Sequence, residues 1–143
     1  MAISYLELAK IQPNGDVIGT GETLVFDEIV SDEGAQISYD TYTGVITFHE
    51  PGFYYIDWFV APQFGFTTDG SNWAIQTSLS GLSIIGSSHT RVSVTTGFAI
   101  LNAGADETAR LVNVSDNALT LSQAVQCKAA LVVYSIAVMN FAP

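Results

Sequence analysis

An all-β fold, an antiparallel two-sheet sandwich of about ten strands, is what this sequence predicts. Three observations carry it. β-Branched and aromatic residues recur in short runs, and aromatics reach 11% of the chain. Turn signals built on Gly, Pro, Asn and Asp interrupt those runs at a sandwich-like spacing of roughly 8–12 residues. No helix is indicated either. Ala129–Leu131 could begin one, but Val132, Val133, Tyr134, Ile136 and Val138 are β-branched or aromatic and favour a strand.

The elements follow in order. Met1–Ile11 alternates loosely and stops at Gln12-Pro13-Asn14-Gly15, a strong turn signal. Gly19–Gly21 leads into a strand at Thr23–Phe26, and the acidic stretch Asp27–Glu33 reads as a solvated loop. Gln36–Tyr39 and Val45–Phe48 flank Asp40–Gly44, a hairpin-length connection ending in Gly. After the turn at His49–Gly52 comes the strongest strand signal, Phe53–Val60. Ala61–Trp73 (APQFGFTTDGSNW) is an aromatic-rich loop. Short strands at Ala74–Leu79 and Leu82–Gly86 precede the long β-branched Arg91–Leu101. Thr108–Val114, Ala118–Leu121 and the closing Gln126–Met139 complete the set.

Length and charge bound the rest. At 143 residues and 15.3 kDa, with no repeat or linker, residues 1–143 are expected to form a single domain. Hydrophobic residues at 48% and charged ones at 13% exclude a disordered chain and a coiled coil. Four basic residues (Lys10, Arg91, Arg110, Lys128) stand against 14 acidic ones, for a net charge of −10. Such a surface repels phosphate backbones and anionic headgroups, so neither nucleic acid nor membrane is an expected partner. The longest apolar run, Ala129–Met139, falls short of the ~20 residues of a membrane span. Met1–Lys10 shows no signal-peptide pattern. Cys127 is the only cysteine, which excludes an intrachain disulfide and a cysteine metal cluster.

Two strands are apolar on both faces. In Phe53–Val60, Tyr54, Ile56, Trp58 and Val60 point one way, and Phe53, Tyr55, Asp57 and Phe59 the other. In the closing strand Ala129, Leu131, Val133, Ser135, Ala137 and Met139 oppose Ala130, Val132, Tyr134, Ile136 and Val138, and either face could be the outer one. A sandwich core covers one face only, so the other calls for a subunit interface. The candidates are Tyr55, Phe59, Tyr134, Ile136 and Val138. With −10 per chain, carboxylates are expected to avoid that interface.

The segment GVITFHEPGFYYIDWFVA resembles the central signature of the C1q/tumour-necrosis-factor-like jelly-roll superfamily. Ile46 precedes Gly52 at the signature spacing; Tyr54, Ile56 and Trp58 follow at alternate positions; and Tyr39 holds the large apolar position upstream. Ile46 and Ile56 stand where vertebrate C1q heads have Phe, which points to a distant branch. Ala109–Ser122 and Ala129–Met139 are similar to the heads of bacterial collagen-like glycoproteins of the spore exosporium. The resemblance implies a ten-stranded jelly roll assembling as a homotrimer. It further implies a non-enzymatic head that caps and registers a collagen-like stalk in cis, outside the cell or on the spore surface. A receptor- or glycan-binding tip, such as an adhesin or phage fibre head, is the alternative, with a host or surface glycan or protein as ligand.

Among ligand candidates, Phe64, Phe66 and Trp73 in the aromatic loop could stack on a sugar or anchor a protein. Asp69–Asn72 lacks the repeated carboxylate ladder of a calcium loop, and no metal or cofactor is expected. His49 and His89 lie in turns, Cys127 opens an apolar strand, and no catalytic motif is present. The chain is therefore expected to be no enzyme. A screen with generic ester, glycoside and phosphoester substrates should be blank, and turnover that disappears on replacing His49 or His89 would overturn this.

Overall fold

Backbone pairing sets the layers. The computed structural model describes residues 4–11, 16–62, 70–79, 83–88 and 94–136. Along them run β1 (Tyr5–Lys10), β2 (Val17–Ile18), β3 (Glu28–Glu33), β4 (Ile37–Tyr39), β5 (Ile46–Phe48) and β6 (Gly52–Val60). They continue with β7 (Ser71–Thr77), β8 (Ser83–Ser88), β9 (Thr95–Ala103), β10 (Glu107–Asn113), β11 (Leu119–Thr120) and β12 (Ala129–Ile136). The described residues form no helix. One five-stranded sheet has the order β3-β1-β12-β6-β9, a second has β4-β5-β10-β7-β8, and β11 pairs with β2 in a small ribbon. The pairings are antiparallel throughout. This is the antiparallel two-sheet sandwich that the strand pattern predicts, and it fits the jelly roll that the resemblance implies.

Period-two alternation builds the core. Tyr54, Ile56, Trp58 and Val60 of β6, Leu6 and Leu8 of β1, and Leu131 and Val133 of β12 point inward from the first sheet. Ile37, Ile46, Phe48, Trp73, Ile75, Ala109 and Leu111 answer from the second. The rings of Phe48 and Tyr54 meet across the gap with centroids 4.5 Å apart. Burying each such side chain contributes roughly 1.5–3 kcal/mol. Since Ala129, Leu131 and Val133 face the core, the outer face of β12 carries Ala130, Val132, Tyr134 and Ile136.

Two segments differ from their sequence reading. The acidic stretch is not a loop: Glu28–Glu33 pairs with β1 as the edge strand β3, with a register shift at Glu7/Leu8. Five of its six side chains are exposed, and charges on an exposed edge cost little while discouraging edge-to-edge association. Thr23–Phe26 is not a strand beyond one bridge from Thr23 to Val112. Leu24 and Phe26 nevertheless fill the core, tied by the Leu24 N–H donating to Leu111 O at 2.8 Å.

Gly97 of β9 lies directly across from Trp58. A Cβ at this position would run into Cζ2 of the Trp58 indole, so the missing side chain is what lets the ring lie flat against the strand. Gly97→Ala should destabilise the fold by about 1–3 kcal/mol through overpacking. A denaturant midpoint unchanged from the parent would refute that reading.

Tyr39 fastens the strandless segment Leu24–Phe26. Its hydroxyl donates to Phe26 O at 3.0 Å and accepts from Phe26 N–H at 2.7 Å. Burial is the main force pushing this hydroxyl up, from 10.0 to about 12, with the charges of Asp27 and Asp40 adding to it. In the unfolded chain the phenol ionises near its ordinary value of about 10. Between these values the folded state holds a proton that the unfolded state has lost, so stability is full below about pH 10 and falls as pH rises toward 12. Tyr39→Phe should cost about 1 kcal/mol at neutral pH and flatten the alkaline loss. Thermal melts of both proteins between pH 8 and 11 check both halves.

Candidate functional site

The outer face of the first sheet is the candidate site, and the register places its residues in rows. One row crosses the strands as Glu33, Tyr5, Tyr134, Tyr55, Ile100; the next as Ser31, Glu7, Val132, Asp57, Phe98. A third brings Ala9, Ala130, Phe59 and Thr96 together, and Ile136, Phe53 and Asn102 share a fourth. Phe98 is 71% and Ile100 64% exposed, with Phe53, Tyr134 and Tyr5 near 40%. Side chains of this kind in contiguous rows form an apolar patch of the sort that marks a contact surface.

The aromatic centre is ordered. Tyr55 and Tyr134 are cross-strand partners whose ring centroids lie 5.2 Å apart, tilted by 34°. The Tyr55 hydroxyl reaches Asp57 Oδ2 at 3.5 Å. Desolvation, helped by the Asp57 charge, pushes that hydroxyl above its ordinary range. Glu7 lies across Val132 from Asp57, so two carboxylates sit within the aromatic surface.

Tyr55, Phe59, Tyr134 and Ile136 therefore share one face, while Val138 lies outside the described residues. Tyr5, Phe98, Ile100 and Val132 belong to the same face and were not singled out from sequence. The signal was present: Phe98 and Ile100 alternate with buried Ala99 and Leu101 along β9. The signature residues Ile46, Tyr54, Ile56 and Trp58 are core, Tyr39 is half-buried, and Gly52 opens β6.

Trp73 is not an exposed anchor. Strand β7 begins at Ser71, inside the segment read as loop, and alternation from there turns Trp73 inward with Ile75. It is 0% exposed, and its Nε1–H donates to Ser71 Oγ at 2.9 Å. No sugar can stack on it. Phe64 and Phe66 lie outside the described residues, as does His89. Cys127 is exposed and precedes the closing strand, which begins at Ala129, rather than opening it.

The fold does bring Ser38, His49 and Asp106 together. Ser38 Oγ lies 2.7 Å from His49 Nε2, and His49 Nδ1 lies 3.8 Å from Asp106 Oδ1. All three side chains are exposed, and the carboxylate is beyond hydrogen-bond reach of the ring. A catalytic triad needs that second bond to fix the imidazole, so the trio forms a surface contact between β4 and the β5–β6 and β9–β10 turns. Among the described residues no group of three His, Cys, Asp or Glu side chains could hold a metal ion.

No protein-family model matches the sequence, and no curated protein matches it either. Solved structures do match in fold. The globular domain of zebrafish complement 1qA protein superposes with a TM-score of 0.68 at 12% identity, covering 96% of this chain and 99% of that one. Murine APRIL gives 0.70 at 11% identity over 94% of this chain and all of that one. PRD1 vertex protein P5 gives 0.64 at 14% identity, with 94% and 97% covered. With its two five-stranded antiparallel sheets, the chain has the C1q/TNF-like jelly-roll fold.

Proposed function

We propose that three copies of this chain pack through the outer face of β1, β12, β6 and β9 to form a trimeric head. The observation that carries this reading is the patch of exposed aromatics centred on the Tyr55–Tyr134 pair. An aromatic side chain removed from water contributes roughly 1.5–3 kcal/mol. Surface ion pairs contribute ~0–1 kcal/mol. Apolar burial is therefore the only term on this face large enough to hold copies together. The threefold number comes from the sequence resemblance and not from the strand pattern. Against expectation, Glu7 and Asp57 stand on the proposed interface. The Tyr55 hydroxyl supplies Asp57 with one hydrogen bond there.

In this reading the head is non-enzymatic, and it caps and registers a collagen-like stalk on a bacterial spore or cell surface. The resemblance of Ala109–Ser122 and Ala129–Met139 to bacterial collagen-like heads supports the assignment. A receptor- or glycan-binding tip is the second reading, favoured by a polar groove on the opposite sheet.

Light scattering on the purified chain should give about three times 15.3 kDa. Combining Phe98→Asp with Tyr134→Asp should shift the species to monomer while leaving the far-ultraviolet β signal intact. A parent chain that is monomeric at micromolar concentration would overturn the trimer. For the stalk, a Gly-Pro-Pro tract fused ahead of residue 1 should melt as a triple helix at higher temperature on the parent head than on the double variant. Equal melting would leave the head without a registering role.

A further inference from the structure

The second sheet carries a groove of about 300 Å3 lined by Val45, Gln76, Thr77, Ser78, Thr108 and Arg110. From it we infer a binding site for a carboxylate-bearing sugar, with Arg110 holding the carboxylate. The charge distribution leads to this residue. Lys10 is buried against Asp16 with Nζ 2.8 Å from Oδ2, and Lys128 is buried with Nζ donating to Val125 O at 2.9 Å. Among the described residues Arg110 is thus the basic side chain left exposed to solvent. No described carboxylate pairs with it, although the chain carries 14. Its Nη1 is steered by a long contact of 3.4 Å to Thr23 Oγ1, which leaves most of its donors open.

The neighbours define the rest of the ligand. Arg110 pairs across the strands with Gln76, whose side chain offers both a donor and an acceptor. Ser78 Oγ accepts the Thr108 N–H at 2.9 Å, so its hydroxyl proton remains free to donate into the groove. Val45 supplies the apolar contact. One cation among hydroxyls and an amide suits one carboxylate among hydroxyls. A guanidinium grips a carboxylate through two parallel N–H bonds, whereas the other groups bond sugar hydroxyls.

The position in the sheet disfavours other anions. β10 is paired to β5 and β7, so its backbone cannot accept an added peptide strand. A nucleic acid or polysulfate needs several cations to offset a net charge of −10. A single acidic sugar needs one. The groove lies on the opposite sheet from the proposed interface, so the site rests on the glycan-binding reading and not on the trimer, although three copies would raise avidity.

The test is an array of immobilised glycans ending in glucuronate, galacturonate or N-acetylneuraminate, each beside its neutral counterpart, probed with the full chain. Retention of at least one acidic series over its neutral partner is expected. Arg110→Ala should weaken it by about tenfold or more, as expected for the loss of a charged hydrogen bond. Arg110→Lys should restore part of the binding, and Gln76→Ala should weaken it several-fold. Because Arg110 is exposed, melting temperature and sedimentation should not change with these variants. Failure of this site is then distinguishable from failure of the trimer. Equal retention of neutral and acidic glycans, no retention, or binding indifferent to Arg110→Ala would each overturn the proposal. Competition by glutamate as effective as by glucuronate would overturn the sugar class, leaving a carboxylate site only.

Discussion

A central strand that is apolar on both faces is the constraint on which the rest of this molecule depends. β6 is laddered to β12 on one side and β9 on the other along its whole length, so it cannot move to an edge. Its inner face of Tyr54, Ile56, Trp58 and Val60 requires the second sheet as a lid. Gly97 yields space for the largest of these side chains, and Tyr39 ties Phe26 down at the rim. The outer face of Phe53, Tyr55 and Phe59 receives no second lid from the described residues and is left for another surface. Trimerisation is our answer to that remaining face.

The inner half of this design was legible in the sequence because alternation is a local property. Residues two positions apart on a strand share a face, and this places Tyr54, Ile56 and Trp58 together without further knowledge. The outer half was legible only in part. Tyr55 and Tyr134 were identifiable on their own strands, but their contact depends on a register between positions far apart in the chain. The acidic strand β3 was misread for a similar reason. Ile29 and Val30 are the only strand-favouring residues in Glu28–Glu33, flanked by Glu, Asp and Ser, and its pairing partner β1 supplies the structure. Trp73 was misplaced by a boundary error: a strand starting at Ser71 instead of Ala74 moves the indole from a loop into the core. Arg110 had no sequence signature at all, since exposure and the lack of a partner are properties of the folded surface.

Charge is sorted as unevenly as hydrophobicity. Carboxylates gather on the edge strand β3 and in turns such as Asp40, whose carboxyl is held below its usual range by the N–H groups of Tyr42 and Thr43. Lysines are withdrawn instead. Lys10 and Lys128 lie where β1 ends and β12 begins, and the Lys128 N–H donates to Lys10 O at 2.8 Å. Burying both cations there makes the surface more acidic than composition alone requires. It also makes Arg110 a local exception.

The two sheets thus have opposite outer faces on the same core. The first shows aromatic rows interrupted by two carboxylates; the second shows Thr47, Thr108, Arg110 and Gln76 on β5, β10 and β7. A self-associating surface works best when it is apolar and continuous, whereas a sugar site works best when polar groups stay wetted until the ligand arrives. One face could not serve both purposes, because water exclusion at the contact would strip the polar groups of their solvent. On the proposed reading, separating them would let assembly proceed through the first sheet while the second stays open in every copy. If three chains assemble, three identical grooves face outward from one head, and weak single-site binding becomes useful through multivalency.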